Sequence, residues 1–68
     1  MTETMTVNGK AYTYVTGMTV SSLLAAMHGD SKNVVVEVNG DIIPSGCYDL
    51  TLLNGGDTVE IVYFVGGG

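Results

Sequence analysis

Apolar and polar positions alternate through Met5-Thr6-Val7-Asn8, and a second strand-like run, Lys10–Val15, follows with Asn8-Gly9 between the two. That arrangement predicts a β-hairpin, because a two-residue type I′ turn needs positive φ at both central positions and Asn-Gly supplies it. Met5 and Val7 are expected to face a core. In the second arm Ala11, Thr13 and Val15 are expected inward, leaving Tyr12 and Tyr14 on the open face. The period then changes. Val20, Leu23, Leu24 and Met27 fall at i, i+3, i+4 and i+7, the buried stripe of a helix over Val20–His28. Thr19 suits its N-cap and Gly29 its C′ stop.

Alternation returns after a loop over Asp30–Asn33. In Val34–Val38, Glu37 marks the solvent side, so Val34, Val36 and Val38 should point inward. Asn39-Gly40 predicts a second tight turn into a short strand, Asp41–Ile43, which Pro44 confines to a sheet edge. Ser45–Asp49 reads as a loop or short helical turn, and Leu50, Leu52 and Leu53 return apolar weight to the core. The turn Asn54-Gly55-Gly56-Asp57 introduces the strand Thr58–Val65. Its apolar run, broken only at Glu60, belongs in the middle of a sheet. With Glu60 outward, Val62 and Phe64 share its face, while Val59, Ile61, Tyr63 and Val65 turn inward.

The order is hairpin, helix, then two or three strands. A lone helix in that position covers one face of a mixed sheet, with the first and last strands parallel at its centre. This predicts an α+β chain with a β-grasp, ubiquitin-like architecture: a four- to five-stranded mixed sheet and one main helix. A single domain is expected over 1–65, with a flexible glycine tail, Gly66–Gly68.

Composition narrows what such a domain can do. At 68 residues the chain carries one small core, burying about 60% of its unfolded surface. One cysteine and one histidine preclude an internal disulfide and argue against a metal site. His28 is expected to be a plain surface residue. The formal charge is −5, with Lys10 and Lys32 the only cations, which argues against nucleic acid. An acidic surface suits steering toward a basic groove on another protein. No apolar run has transmembrane length, and Met1-Thr2-Glu3-Thr4 lacks the basic start of a signal peptide. The expectation is a cytoplasmic monomer away from membranes.

Few residues are equipped for chemistry. Cys47, between Gly46 and Tyr48-Asp49, has no cation close in sequence to activate it and reads as a loop or packing residue. No Ser-His-Asp spacing, nucleophile elbow or phosphate loop is present. What remains is the terminus. A strand that runs straight into Gly66-Gly67-Gly68 presents the Gly68 carboxylate close to the domain body, since three residues reach at most ~10 Å. Such a carboxylate is electrophilically inert until ATP converts it to an acyl adenylate, which a sulfur nucleophile can attack. Glycine leaves the carbonyl unhindered and lets the backbone thread a narrow channel. Val62 and Phe64, with Val35, Tyr12 and Tyr14, are expected to form an apolar partner-binding patch beside that tail.

Val7-Asn8-Gly9, Thr19-Val20 with Leu23-Leu24, Val36–Pro44, and Gly56-Asp57 through Val59–Val62 to Phe64–Gly68 together resemble the thiamine-biosynthesis sulfur carriers, the ThiS family. The resemblance covers nearly the whole chain, and Gly67-Gly68 matches the family's diglycine. It implies a carrier used as a co-substrate rather than an enzyme, with no bound cofactor. The implied partners are a ubiquitin-activating-like adenylyltransferase that uses ATP, a sulfur donor (a cysteine desulfurase or persulfide protein), and thiazole synthase. The Gly68 thiocarboxylate is the implied sulfur-bearing group. Ser45 departs from the basic residue many members carry after the proline, which bears on a partner contact there. Two alternatives stay open: a related carrier feeding molybdopterin or cysteine synthesis, and a non-catalytic ubiquitin-like interaction module.

Overall fold

A computed structural model describes residues 3–27 and 33–64. Strand β1 (Thr4–Val7) is joined to β2 (Lys10–Thr13) by Asn8-Gly9, whose φ values are 50° and 82°. Helix α1 (Val20–Met27) follows, then β3 (Val34–Val38), β4 (Asp41–Ile43), a 3-10 turn over Ser45–Cys47, and β5 (Thr58–Tyr63). Asn39 and Gly40 also take positive φ, 52° and 87°, so both Asn-Gly pairs make the turns their sequence requires. The five strands form one mixed sheet in the order β2-β1-β5-β3-β4. β5 is central, parallel to β1 and antiparallel to β3. With one helix on the sheet this is the β-grasp arrangement.

The helix begins where a reciprocal cap satisfies its first amides. The Ser22 N–H donates to Thr19 Oγ1 at 3.1 Å and the Thr19 N–H to Ser22 Oγ at 2.8 Å, a capping box with serine in the role of glutamate. Val20, Leu23 and Leu24 are buried as expected. Met27 is not: it closes the described helix beyond the buried cluster and is exposed. His28, Gly29 and the Asp30–Lys32 part of the expected loop lie outside the described residues.

The core is Met5, Val7, Val20, Leu23, Leu24, Val36, Tyr48, Leu53, Val59 and Ile61. Val34 and Val38 pack against it, as the alternation requires. Two expectations are corrected here. Of the three late leucines only Leu53 is buried, while Leu50 and Leu52 are 80% and 63% exposed. Leu52 bridges Thr19, and the extended backbone there sends neighbouring side chains to opposite sides. Tyr48 fills the core instead, its hydroxyl donating to the Val34 carbonyl at 3.4 Å.

The second correction concerns β2. The two-residue turn sets Met5 opposite Tyr12 and Thr6 opposite Ala11, and directly opposed residues share a face. Met5 is in the core, so Tyr12 is on the core side. Tyr12 and Tyr14 pack against the buried cluster. Ala11, Thr13 and Val15 are exposed, the reverse of the expected facing.

Candidate interaction face on the strand before the terminal glycines

The helix-free side of the sheet takes its character from register. β5 buries Val59 and Ile61 and exposes Thr58, Glu60 and Val62, with Phe64 next on the same side by alternation. Val62 stands opposite Val35 and Glu60 opposite Glu37 on β3. Glu37 in turn stands opposite Ile42 on the edge strand β4. Val62 is 48%, Phe64 56% and Ile42 67% exposed, while Val35 is half-buried. On the β1–β2 side the same face continues as Thr4, Thr6, Ala11 and Thr13. The result is an apolar strip, Val35, Val62 and Phe64, bordered by two carboxylates and a row of threonines. No lysine or arginine lies on the described part of this face.

Of the five residues expected in the patch, the sheet brings Phe64, Val62 and Val35 together and removes Tyr12 and Tyr14 to the opposite side. Ile42 was not anticipated. Its signal was present, because the Asn39-Gly40 turn sets Glu37 against Ile42 once Glu37 is assigned to solvent. Tyr63, expected in the core, stands opposite Val34 but sits at the strand end and is 39% exposed, which corrects that expectation. Val65 and the expected sulfur-carrying residues Gly66, Gly67 and Gly68 lie outside the described residues.

The strand that leads to those glycines is held on both flanks. The Phe64 N–H donates to the Asn33 carbonyl at 2.8 Å, extending the pairing with the β3 side past Tyr63. Asn39 Oδ1 accepts the Thr58 N–H at 2.9 Å, and its Nδ2 donates to Asp57 Oδ1 at 3.0 Å. Asn8 Oδ1 accepts the Ile61 N–H at 2.7 Å. Both hairpin asparagines therefore bind β5 through their side chains, a role their sequence positions do not announce.

Cys47, half-buried, follows the edge strand in the 3-10 turn. Its carbonyl accepts from Thr51 Oγ1 at 2.8 Å, a local structural role. Among the described residues no three potential metal ligands come together, and no helix is long and apolar enough to cross a membrane.

Residues 5–68 match the ThiS family. The chain is 44% identical over 50 residues to the sulfur carrier protein ThiS of Bacillus subtilis, covering 74% of this chain and 76% of that protein. It is 41% identical over 64 residues to a thiazole synthase of Paramagnetospirillum magneticum and 33% identical over 61 residues to one of Magnetococcus marinus. It spans only 20% and 19% of those two proteins. The crystal structure of the thiamine biosynthesis protein ThiS from Geobacter metallireducens superposes with a TM-score of 0.75 at 39% identity, covering 96% of this chain and 99% of that one. With residues 5–68 inside the family match and 76% of the Bacillus carrier covered at 44% identity, the chain belongs to the ThiS family.

Proposed function

We propose that this protein is a sulfur carrier for thiazole formation in thiamine biosynthesis, with the Gly68 carboxylate as the sulfur-bearing group. The observation that carries this reading is that the family match runs through Gly66–Gly68 to residue 68. It is supported by the identity to the Bacillus carrier and by an exposed apolar strip on the strand that precedes the glycines. The protein acts as a co-substrate of partner enzymes.

The chemistry follows from the carboxylate. Attack of its oxygen on the α-phosphorus of ATP, in a ubiquitin-activating-like adenylyltransferase, forms an acyl adenylate and releases pyrophosphate. The terminal sulfur of a persulfide on a desulfurase or persulfide protein then adds to the carbonyl and AMP departs. A thiol attacks the donor sulfur of the resulting acyl disulfide, breaking the S–S bond to leave the thiocarboxylate and a donor disulfide. The body must be gripped while the tail reaches the adenylation site, and the strip of Val35, Val62 and Phe64 is the surface for that grip. Thiazole synthase is the acceptor favoured here, because segments similar to this chain occur within two proteins of that name.

The test is mass spectrometry after incubation with ATP, the activating enzyme, a persulfide donor and a thiol reductant. The protein gains the mass of one sulfur in place of one oxygen, on Gly68. Deleting Gly68 withdraws the carboxylate by up to ~3.6 Å and abolishes labelling while the fold persists. Sulfur on Cys47, or normal labelling of the deletion, would overturn the assignment.

A further inference from the structure

We infer that Asn8 is a positioning residue for the sulfur-bearing terminus: its side chain fixes the register of β5 and with it the distance from Val35 and Ile42, the part of the docking face on β3 and β4, to the reacting carboxylate. This rests on the carrier reading above and adds to it a residue far from the tail in sequence.

The reason is the uneven support of β5. On its β3 side it has five paired positions, from Val34↔Tyr63 to Val38↔Val59. On its β1 side there are two, Thr6↔Thr58 and Val7↔Val59. The Thr6 N–H donates to the Asp57 carbonyl and the Asn8 N–H to the Val59 carbonyl, both at 2.9 Å. In a parallel ladder the next bond would run from the Ile61 N–H to the Asn8 carbonyl. At Asn8, however, the chain has already entered the left-handed turn, φ 50°. Its side-chain Oδ1 accepts the Ile61 N–H instead, at 2.7 Å. Ile61 is 5% exposed, so water cannot readily replace that acceptor. The bond falls between Glu60 and Val62, at the root of the docking strip.

Register matters to a carrier more than to an inert domain. The smallest slip that keeps the buried face of β5 buried is two residues, which displaces everything beyond it by ~6.6 Å. The four residues after Phe64 span at most ~14 Å, so such a slip consumes about half the tail's reach. Asn39 anchors the start of β5, its N–H donating to the Thr58 carbonyl at 2.7 Å. Asn8 anchors the middle from the opposite flank.

Asn8→Gly keeps the turn, since glycine takes positive φ freely, and deletes the acceptor. Asn8→Asp keeps both an acceptor oxygen and tolerance of the left-handed region. In Asn8→Gly the Ile61 amide is expected to exchange with solvent about tenfold faster. In steady-state adenylation its kcat falls roughly three- to tenfold, because fewer bound complexes hold the carboxylate in register. KM changes less than kcat, because Val35 and Ile42 stay in place on β3 and β4 and the side chains of Val62 and Phe64 are retained, and Asn8→Asp restores both readouts. A merely structural role would lower the melting temperature and leave the kcat of the folded protein alone. Wild-type kcat in Asn8→Gly, or no restoration by Asn8→Asp, overturns the proposal. Should Asn8→Gly lack a cooperative melting transition, a synthetic chain with an ester in place of the Ile61 amide removes the donor and keeps every side chain, Asn8 included. It should show the same loss of kcat, and normal turnover sinks the idea. If the unaltered protein is not adenylated on Gly68, the carrier reading itself fails and the positioning role falls with it. If the unaltered protein reacts and every variant matches it, the positioning role alone is wrong.

Discussion

Glu37 and Glu60 stand directly opposite each other across β3 and β5, two carboxylates on the face that carries Val35 and Val62. Like charges in that relationship destabilise a sheet. Glu60→Gln is therefore expected to raise stability by about 0.5 kcal/mol, or about 2–4 °C in melting temperature for a domain of this size. The gain should shrink in 1 M salt, where the screening length is about 3 Å. The same substitution should slow association with the activating enzyme at low salt, if these carboxylates steer the face toward a basic groove. A lower melting temperature in Glu60→Gln would show that the pair is not repulsive.

Phe64 and Val62, which precede the terminal glycines in the chain, are about half exposed. Phe64→Asp should weaken binding to the activating enzyme about tenfold or more, the usual loss when an aromatic anchor is removed from an interface. Its effect on unfolding should stay within about 0.5 kcal/mol, as for other surface positions. Calorimetry and a binding titration on the same sample separate the two. A vanished melting transition would place Phe64 in the core.

The leucines divide sharply. Leu24 is 1% exposed and Leu50 is 80% exposed. In urea titrations Leu24→Ala should cost about 2–5 kcal/mol, a large share of what a domain this small possesses. Leu50→Ala should stay within about 0.5 kcal/mol of the unaltered protein. Equal costs would contradict the burial assigned to them.

Near the terminus, Gly67→Val should abolish sulfur labelling of Gly68 by the activating enzyme, through a β-branched side chain and a restricted backbone. Cys47→Ser should label normally. The mass spectrum of the intact protein reads both, and labelled Gly67→Val together with unlabelled Cys47→Ser would reverse the roles assigned to tail and cysteine.

Much of this architecture is legible locally. Both Asn-Gly turns, the Thr19 cap, the Val20-Leu23-Leu24 stripe and the facing of Val34–Val38 and Val59–Ile61 each depend on interactions within a few residues, so a short window of sequence contains their cause. The reading of Tyr12 and Tyr14 failed although its correction was also local. Alternation alone allows either facing for a strand, and only the pairing set by the Asn8-Gly9 turn, Met5 opposite Tyr12, chooses one. Leu50 and Leu52 misled for a different reason: hydrophobicity does not say which of several neighbouring apolar residues reaches the core, and Tyr48 took that place.

By itself, then, the sequence determined the turns, the helix, the alternation of the central strand and the glycines that follow it, because these are properties of contiguous residues. The tertiary structure alone decided what meets across the sheet. It set Glu37 against Glu60, brought Ile42 to the edge of the strip, and placed Asn8 Oδ1 against the amide of Ile61. Those contacts join residues far apart in the chain, Asn8 and Ile61 by 53 positions. Their geometry depends on strand order and register, which the packing of the whole domain selects.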